Sequence, residues 1–226
     1  MVPIRQWMEA FAASVLEEFG ERIVFIGLQG SYGRGEATED SDLDVVVIFD
    51  KLGPPELARY AALLEKMEHR EKICGFVSGK AELQGWDRAD LFQFCRDTTP
   101  VHGSLDFLCP QPGPQDARRA VLTGACDLYH GCCHNLLHEK DPAVLAGLYK
   151  GAAFVLQAKY FCESGAYIRR KEELIPLLQG PDQRLMETAR ELRRRPETAA
   201  QQFGSLSQEL LRWSSEAIAA YGGGGR

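Results

Sequence analysis

Apolar residues alternate along this chain between helical spacing and short unbroken runs. Ile4, Trp7, Met8, Phe11, Val15, Leu16 and Phe19 share one face of a 3.6-residue repeat, so residues 3–19 are expected to form an amphipathic helix that stops at Gly20. RIVFIGLQG is a continuous apolar run suited to a buried strand over 22–29, and LDVVVIFD reads as a second buried strand. The short Gly-rich segment between them predicts a short helix. GPPELARYAALLEKMEHREK starts on two prolines and aligns Leu57, Tyr60, Ala61, Leu64 and Met67, which predicts another helix. ICGFVSG and DLFQFC are the next strand candidates, with a short helix expected in KAELQGWDRA between them.

LCPQPGPQ, residues 108–115, concentrates Pro and Gly and reads as a linker. Beyond it the periodicity is helical throughout, with helices expected over 115–139, 142–164, 169–179, 182–194 and 197–221. Short connections between them predict a bundle. The expected fold class is therefore α+β: a mixed-sheet domain over 1–110, an all-α helical bundle over 115–221, and a disordered tail over 222–226.

Composition changes this picture little. The chain has 226 residues, 45% of them hydrophobic and 26% charged, which is ordinary for a soluble domain pair. A net charge of −6 argues against non-specific duplex binding, so nucleic acid is disfavoured as a partner. Seven cysteines without a CxxC pair suit a reducing compartment. No apolar run reaches the ~20 residues of a membrane span. A cytoplasmic location and no membrane partner are expected.

One stretch carries candidate chemistry: GSYGRGEATEDSDLDVVVIFD, residues 30–50. Asp42 and Asp44 stand two apart at the mouth of a strand, so both side chains face the same way. Strands are depleted of Asp, and paired carboxylates repel unless a cation lies between them. Hard divalent ions such as Mg2+ take one or two carboxylates together with substrate phosphates. Upstream, Gly30 and Ser31 follow a strand and open a helix, where backbone N–H groups favour phosphate and the Ser31 hydroxyl adds a donor. Arg34 offers a guanidinium fork for phosphate oxygens.

Gly30, Ser31, Gly35, Ser41, Asp42 and Asp44 together resemble the signature of the nucleotidyltransferase superfamily that includes DNA polymerase β. The layout is similar to the two-domain kanamycin-type enzymes. That resemblance implies a nucleoside triphosphate held by Gly30, Ser31, Arg34 and Ser41, with Mg2+ (or Mn2+) at Asp42 and Asp44, commonly as a two-metal site completed by a third acid. The candidates for that acid are Asp90, ahead of the strand-like LFQF, then Asp97 and Glu82. Asp90 best fits the apolar-acid-apolar pattern and is taken as the third catalytic and metal residue. The implied reaction moves a nucleoside monophosphate to a hydroxyl, on an aminoglycoside-like small molecule or a protein side chain, and releases pyrophosphate. The alternative is a nucleotide-binding regulatory or antitoxin-like module with little turnover. In either case the bundle is a candidate homodimer surface.

Other groups carry weaker signals. Glu139 and Glu163 are open candidates for a general base. His130, His134 and His138 recur every four residues, which suits an adjacent metal-binding pair, although helix positions near the cleft explain them better. Lys150, Lys159, Arg169, Arg170 and Lys171 include candidates for gripping a triphosphate tail. Arg96 and His102 give the one Arg…His spacing of the RNase partners of minimal nucleotidyltransferases, but outside the bundle, which argues against RNase activity.

Overall fold

The computed structural model of the chain describes residues 1–108 and 110–223. The chain divides into two compact units: Met1–Asp87 with Phe94–Gln111, and Arg88–Gln93 with the chain from Pro112 onward.

The first unit follows the order α1 (Ile4–Phe19), β1 (Ile23–Leu28), α2 (Gly30–Arg34), β2 (Leu43–Phe49), α3 (Pro54–Leu64), β3 (Ile73–Gly79) and α4 (Lys80–Gln84). α5 (Arg88–Asp97) then leads into β4 (Thr99–Gly103). The four strands form one mixed sheet in the order β3-β2-β1-β4. β1 runs antiparallel to β2 and β4, and β2 runs parallel to β3. Leu43, Val45, Val47 and Phe49 alternate onto one face of β2, where they join Trp7, Phe11, Val15 and Phe19 of α1 in a single core. Phe49 sits edge-on to both Phe19 and Tyr60, with ring centroids 5.0 and 6.2 Å apart. Tyr60 is the one buried residue of α3; Leu57 is 42% exposed, so the stripe expected along that helix is narrower than its spacing suggests.

Two expectations fail around residue 95. DLFQFC forms part of a helix, α5, and the fourth strand is TPVHG. Ala89, Leu91, Phe92 and Phe94 are all buried, and burial of both Leu91 and Phe92 is impossible on one face of a strand but natural on a helix. β4 escapes the sequence pattern because it is an edge strand that buries almost nothing and contains Pro100, tolerated only at such an edge. The unit division also departs from a boundary at 110. Arg88–Gln93 goes with the helices, and Phe92, fully buried, belongs to their core.

The second unit is helical: α6 (Pro114–His134), α7 (Pro142–Ser164), α8 (Lys171–Leu174), α9 (Gly180–Arg194), α10 (Glu197–Gln201) and α11 (Phe203–Gly222). α6 ends in a π turn over Asn135–Glu139, closed by buried Asn135, whose side chain donates to the Asp141 carbonyl and accepts from the Asp141 N–H. Tyr149, fully buried, ties α7 to α11 through a 2.9 Å hydrogen bond to the Leu206 carbonyl. The helix expected over 197–221 is broken at Gln202. Of the tail expected to be disordered, Gly222 closes α11, and residues 224–226 lie outside the described residues. No helix among the described residues is long and apolar enough to cross a membrane. Six cysteines are described, and all six are free thiols.

Candidate active site

The site grows from the end of one hydrogen-bonded ladder. Leu28 pairs with Val45, and the ladder continues one step further as the Gln29 N–H donates to the Asp44 carbonyl at 2.8 Å. That bond sets Gly30 directly against Asp44. A Cβ added to Gly30 would stand 1.7 Å from Asp44 Oδ2, and Gly30 has φ +65°, where a side chain is strained in any case. Only glycine lets the turn after β1 pass this close to the carboxylate. α2 then runs for five residues and ends at Gly35, φ +72°. Tyr32 anchors it: the ring is buried in the sheet unit's core, and the hydroxyl accepts from the Val2 N–H at 3.2 Å. Ser31 is half-buried, and its hydroxyl makes no hydrogen bond among the described residues, which leaves it open to a ligand.

Asp42 is brought in by a built turn. The Ser41 hydroxyl accepts from the Thr38 N–H at 2.8 Å, and the Ser41 N–H donates to the Thr38 carbonyl at 3.2 Å. Lys72 Nζ donates to the Glu39 carbonyl and holds the same loop from the start of β3. Ser41 therefore shapes the approach to Asp42 with a hydroxyl expected to bind phosphate. Asp42 is exposed and has no ion-pair partner among the described residues.

Arg34 differs from expectation. Its Nε lies 3.1 Å from Glu36 Oε2, and the two side chains are only 9% and 6% exposed. This buried pair fixes the end of α2.

None of the three candidates for a third acid stands on a strand. β3 reads ICGFVSG and β4 TPVHG, neither with a carboxylate. Across the parallel pair it is Cys74 that stands in register with Asp44, so thiol and carboxylate share a face. The next position, Gly75, lies so close to β2 that a Cβ there would meet the Val45 carbonyl oxygen at 2.0 Å. Asp90, expected ahead of a strand, is on helix α5 and belongs to the helical unit. Asp97 is buried (7% exposed) at the C-terminal end of the same helix, within the sheet unit. Glu82 folds back over the start of its own helix, with Oε2 2.1 Å from where a Gly79 Cβ would be. Among the described residues no three His, Cys, Asp or Glu side chains converge as a metal cluster.

In the helical unit, Lys159 is engaged by Asp182 (2.5 Å) and Glu163 (2.6 Å), and Arg170 by Glu173 (2.9 Å). Lys159 keeps a raised pKa: burial pulls it down, and these two carboxylates more than offset that. Lys150 is exposed, and Lys171 Nζ lies 3.9 Å from the Phe154 ring centroid. His130, His134 and His138 are exposed, their rings spaced 6.3 and 4.9 Å, with His134 Nε2 3.4 Å from Glu139 Oε1. Sequence reasoning passed over Tyr32 and Lys72, and also over Gln29, whose amide donates to Thr98 Oγ1 at 2.6 Å. Each works through long-range contacts that leave no local pattern.

Residues 8–80, which span the Gly30–Asp44 turn and both central strands, match the family model of the nucleotidyltransferase domain. Over those residues the chain is similar to a nucleotidyltransferase domain. It is 46% identical over 54 residues to a candidate protein adenylyltransferase of Methanocaldococcus jannaschii, and 42% identical over 65 residues to the protein adenylyltransferase MntA of Thermococcus cleftensis. Those segments cover 24% and 29% of this chain, and 51% and 62% of the relatives' own lengths. The fold extends the likeness past the nucleotidyltransferase domain. A solved spectinomycin adenyltransferase from Enterococcus faecialis superposes with a TM-score of 0.53 over 91% of this chain and 98% of that one, at 12% identity. The succession of a mixed sheet first and helices after is thus shared at the level of fold.

Proposed function

We propose that this chain transfers a nucleoside monophosphate from a nucleoside triphosphate to a hydroxyl acceptor and releases pyrophosphate. The observation that carries the proposal is the packing of Gly30 against the Asp44 carboxylate, with exposed Asp42 two residues before it, where the Thr38–Ser41 turn leads into β2. Both sequence relatives are named protein adenylyltransferases, which favours ATP as donor and a protein hydroxyl as acceptor over an aminoglycoside-like molecule.

A divalent cation suits the residues present. Two carboxylates, one of them exposed and without a cationic partner among the described residues, form an all-oxygen donor set that leaves positions for phosphate oxygens. Asp42 and Asp44 would hold Mg2+ or Mn2+, which when bound neutralises charge on the phosphates. The chain's own contribution is placement. The Ser31 hydroxyl and the backbone beside Gly30 receive the triphosphate, and the Thr38–Ser41 turn fixes Asp42. Arg34 supports this geometry through Glu36.

A second reading is favoured by one finding: neither β3 nor β4 supplies a carboxylate beside the pair. In it the domain binds nucleotide with little turnover, as a regulatory or antitoxin-like module. Incubation with α-labelled ATP and Mg2+ separates the two readings, with the chain itself, a protein lysate and small amino alcohols as acceptors. Label transfer lost in Asp42→Asn and Asp44→Asn supports the enzyme. Metal-dependent binding without transfer selects the module. Equal transfer by wild type and both variants, or no metal-dependent binding by folded protein, overturns the site.

A further inference from the structure

The helical unit contains a surface groove of about 380 Å3 in which Asp90 reappears. It lies among the first turns of α5, the middle of α6 and α7, and every residue lining it belongs to the helical unit. Its size falls within the range of small-molecule sites. Glycines explain why a groove exists here. A Cβ on Gly124 would meet Val155 Cγ2 at 2.6 Å, so α6 and α7 approach closely at that point. At Gly147 the opposite holds: an added Cβ would find no atom within 4 Å, and the space a side chain would fill is open.

The polar lining is one-sided. Asp90 comes from α5 and Asp127 from α6, and neither has an ion-pair partner among the described residues. Arg88, two residues before Asp90, is engaged by Asp116 at 3.1 Å. Lys171 rests over the ring of Phe154, another lining residue, and makes no ion pair with either aspartate. Gln93 spends its Nε2 on the Phe154 carbonyl at 2.7 Å, so its amide oxygen is what it can offer a ligand. Between these acceptors the floor is apolar, with Leu128, Leu148 and Val155.

We propose that this groove binds a small dication, an α,ω-diamine or a longer linear polyamine, with ammonium groups at Asp90 and Asp127 and methylenes on the apolar floor. Charge complementarity selects this occupant. Two carboxylates, an amide oxygen and the Thr123 hydroxyl line the groove, and none of them supplies positive charge, so the ligand brings the charge and most of the donors. An anion is repelled, and a purely apolar molecule leaves the carboxylates unanswered. Asp90, expected from its sequence context to hold metal, is reassigned as one of two ammonium acceptors.

The test needs no nucleotide and stands apart from the transfer reaction. Full-length chain is titrated calorimetrically with α,ω-diamines from propane to octane, and with the matching monoamines. Saturable binding with an optimum chain length is expected, weakening as salt rises. Asp90→Asn and Asp127→Asn should each weaken the best diamine about tenfold, the loss of one charge-assisted contact. Gly147→Leu should block binding by filling the open space, while Glu216→Gln, an exposed acid on α11, leaves it unchanged. Circular dichroism confirms that each variant is folded. Monoamines that bind as well as diamines, the absence of saturation, or wild-type affinity in both Asp→Asn variants overturns the proposal.

Discussion

Two aspartate pairs are placed by different physics. Asp42 and Asp44 stand two residues apart where the Thr38–Ser41 turn leads into β2, so the chain itself keeps them near each other. Asp90 and Asp127 are far apart in sequence and share a groove only because α5 and α6 pack in one unit. The first pair is a property of the backbone; the second is a property of side-chain packing. A backbone-built pair should therefore be sensitive to glycine and indifferent to distant core changes. A packing-built pair should respond to substitutions between its helices.

The largest expected effect is chemical. Asp44→Asn should reduce nucleotide transfer by at least about 100-fold, the scale seen when a group that stabilises developing charge is lost. Gly30→Ala attacks the same pair through the backbone. Its methyl would clash with Asp44 at a positive φ, so we expect about 1–2 kcal/mol of destabilisation in denaturant melts, together with loss of metal-dependent nucleotide binding. Stability unchanged from wild type would break the comparison from this side.

Tyr149→Phe tests the other pair. It leaves the Leu206 carbonyl without its hydroxyl donor and loosens α7 against α11, at a cost of about 1 kcal/mol. Diamine affinity should fall modestly while metal-dependent nucleotide binding stays as it was. The smallest effect is a pH slope. Burial against α11 pushes the Cys132 thiol up to about 11, and its Sγ donates to the Ser207 carbonyl. In the unfolded chain the same thiol ionises near the ordinary value of about 8.5. Its contribution is therefore complete below that pH and is lost as pH rises toward the folded value. Tm should decline through this window in wild type and decline less in Cys132→Ala. At pH 8 a maleimide should label exposed Cys74 and Cys126 well before Cys132.

The same contrast decides what the sequence could reveal. The strand carrying Asp44 and the Gly-Ser turn before it are local patterns, and both stand where periodicity puts them. The helices of the second unit were legible because Pro and Gly punctuate them, as at Pro142, Gly165 and Gly180. The region from Arg88 to Gly103 was not. Its helix looks alternating because both of its sides are buried, and its strand looks like a loop because an edge strand needs no apolar face. Arg34 was read as a phosphate ligand since nothing local announces that Glu36 will close on it in a buried pair. Asp127 gave no signal at all, because a groove wall is defined only by what packs opposite.

The turn from Thr38 to Ser41 has one more consequence. Tied by its own hydroxyls and by Lys72, it holds Asp42 in place through contacts made within the chain itself. The entropy of ordering that acid is settled when the chain folds, so an arriving triphosphate meets a surface already arranged. Tightness at this site would then be a matter of how slowly nucleotide leaves, and loosening the turn would show first as a shorter residence time.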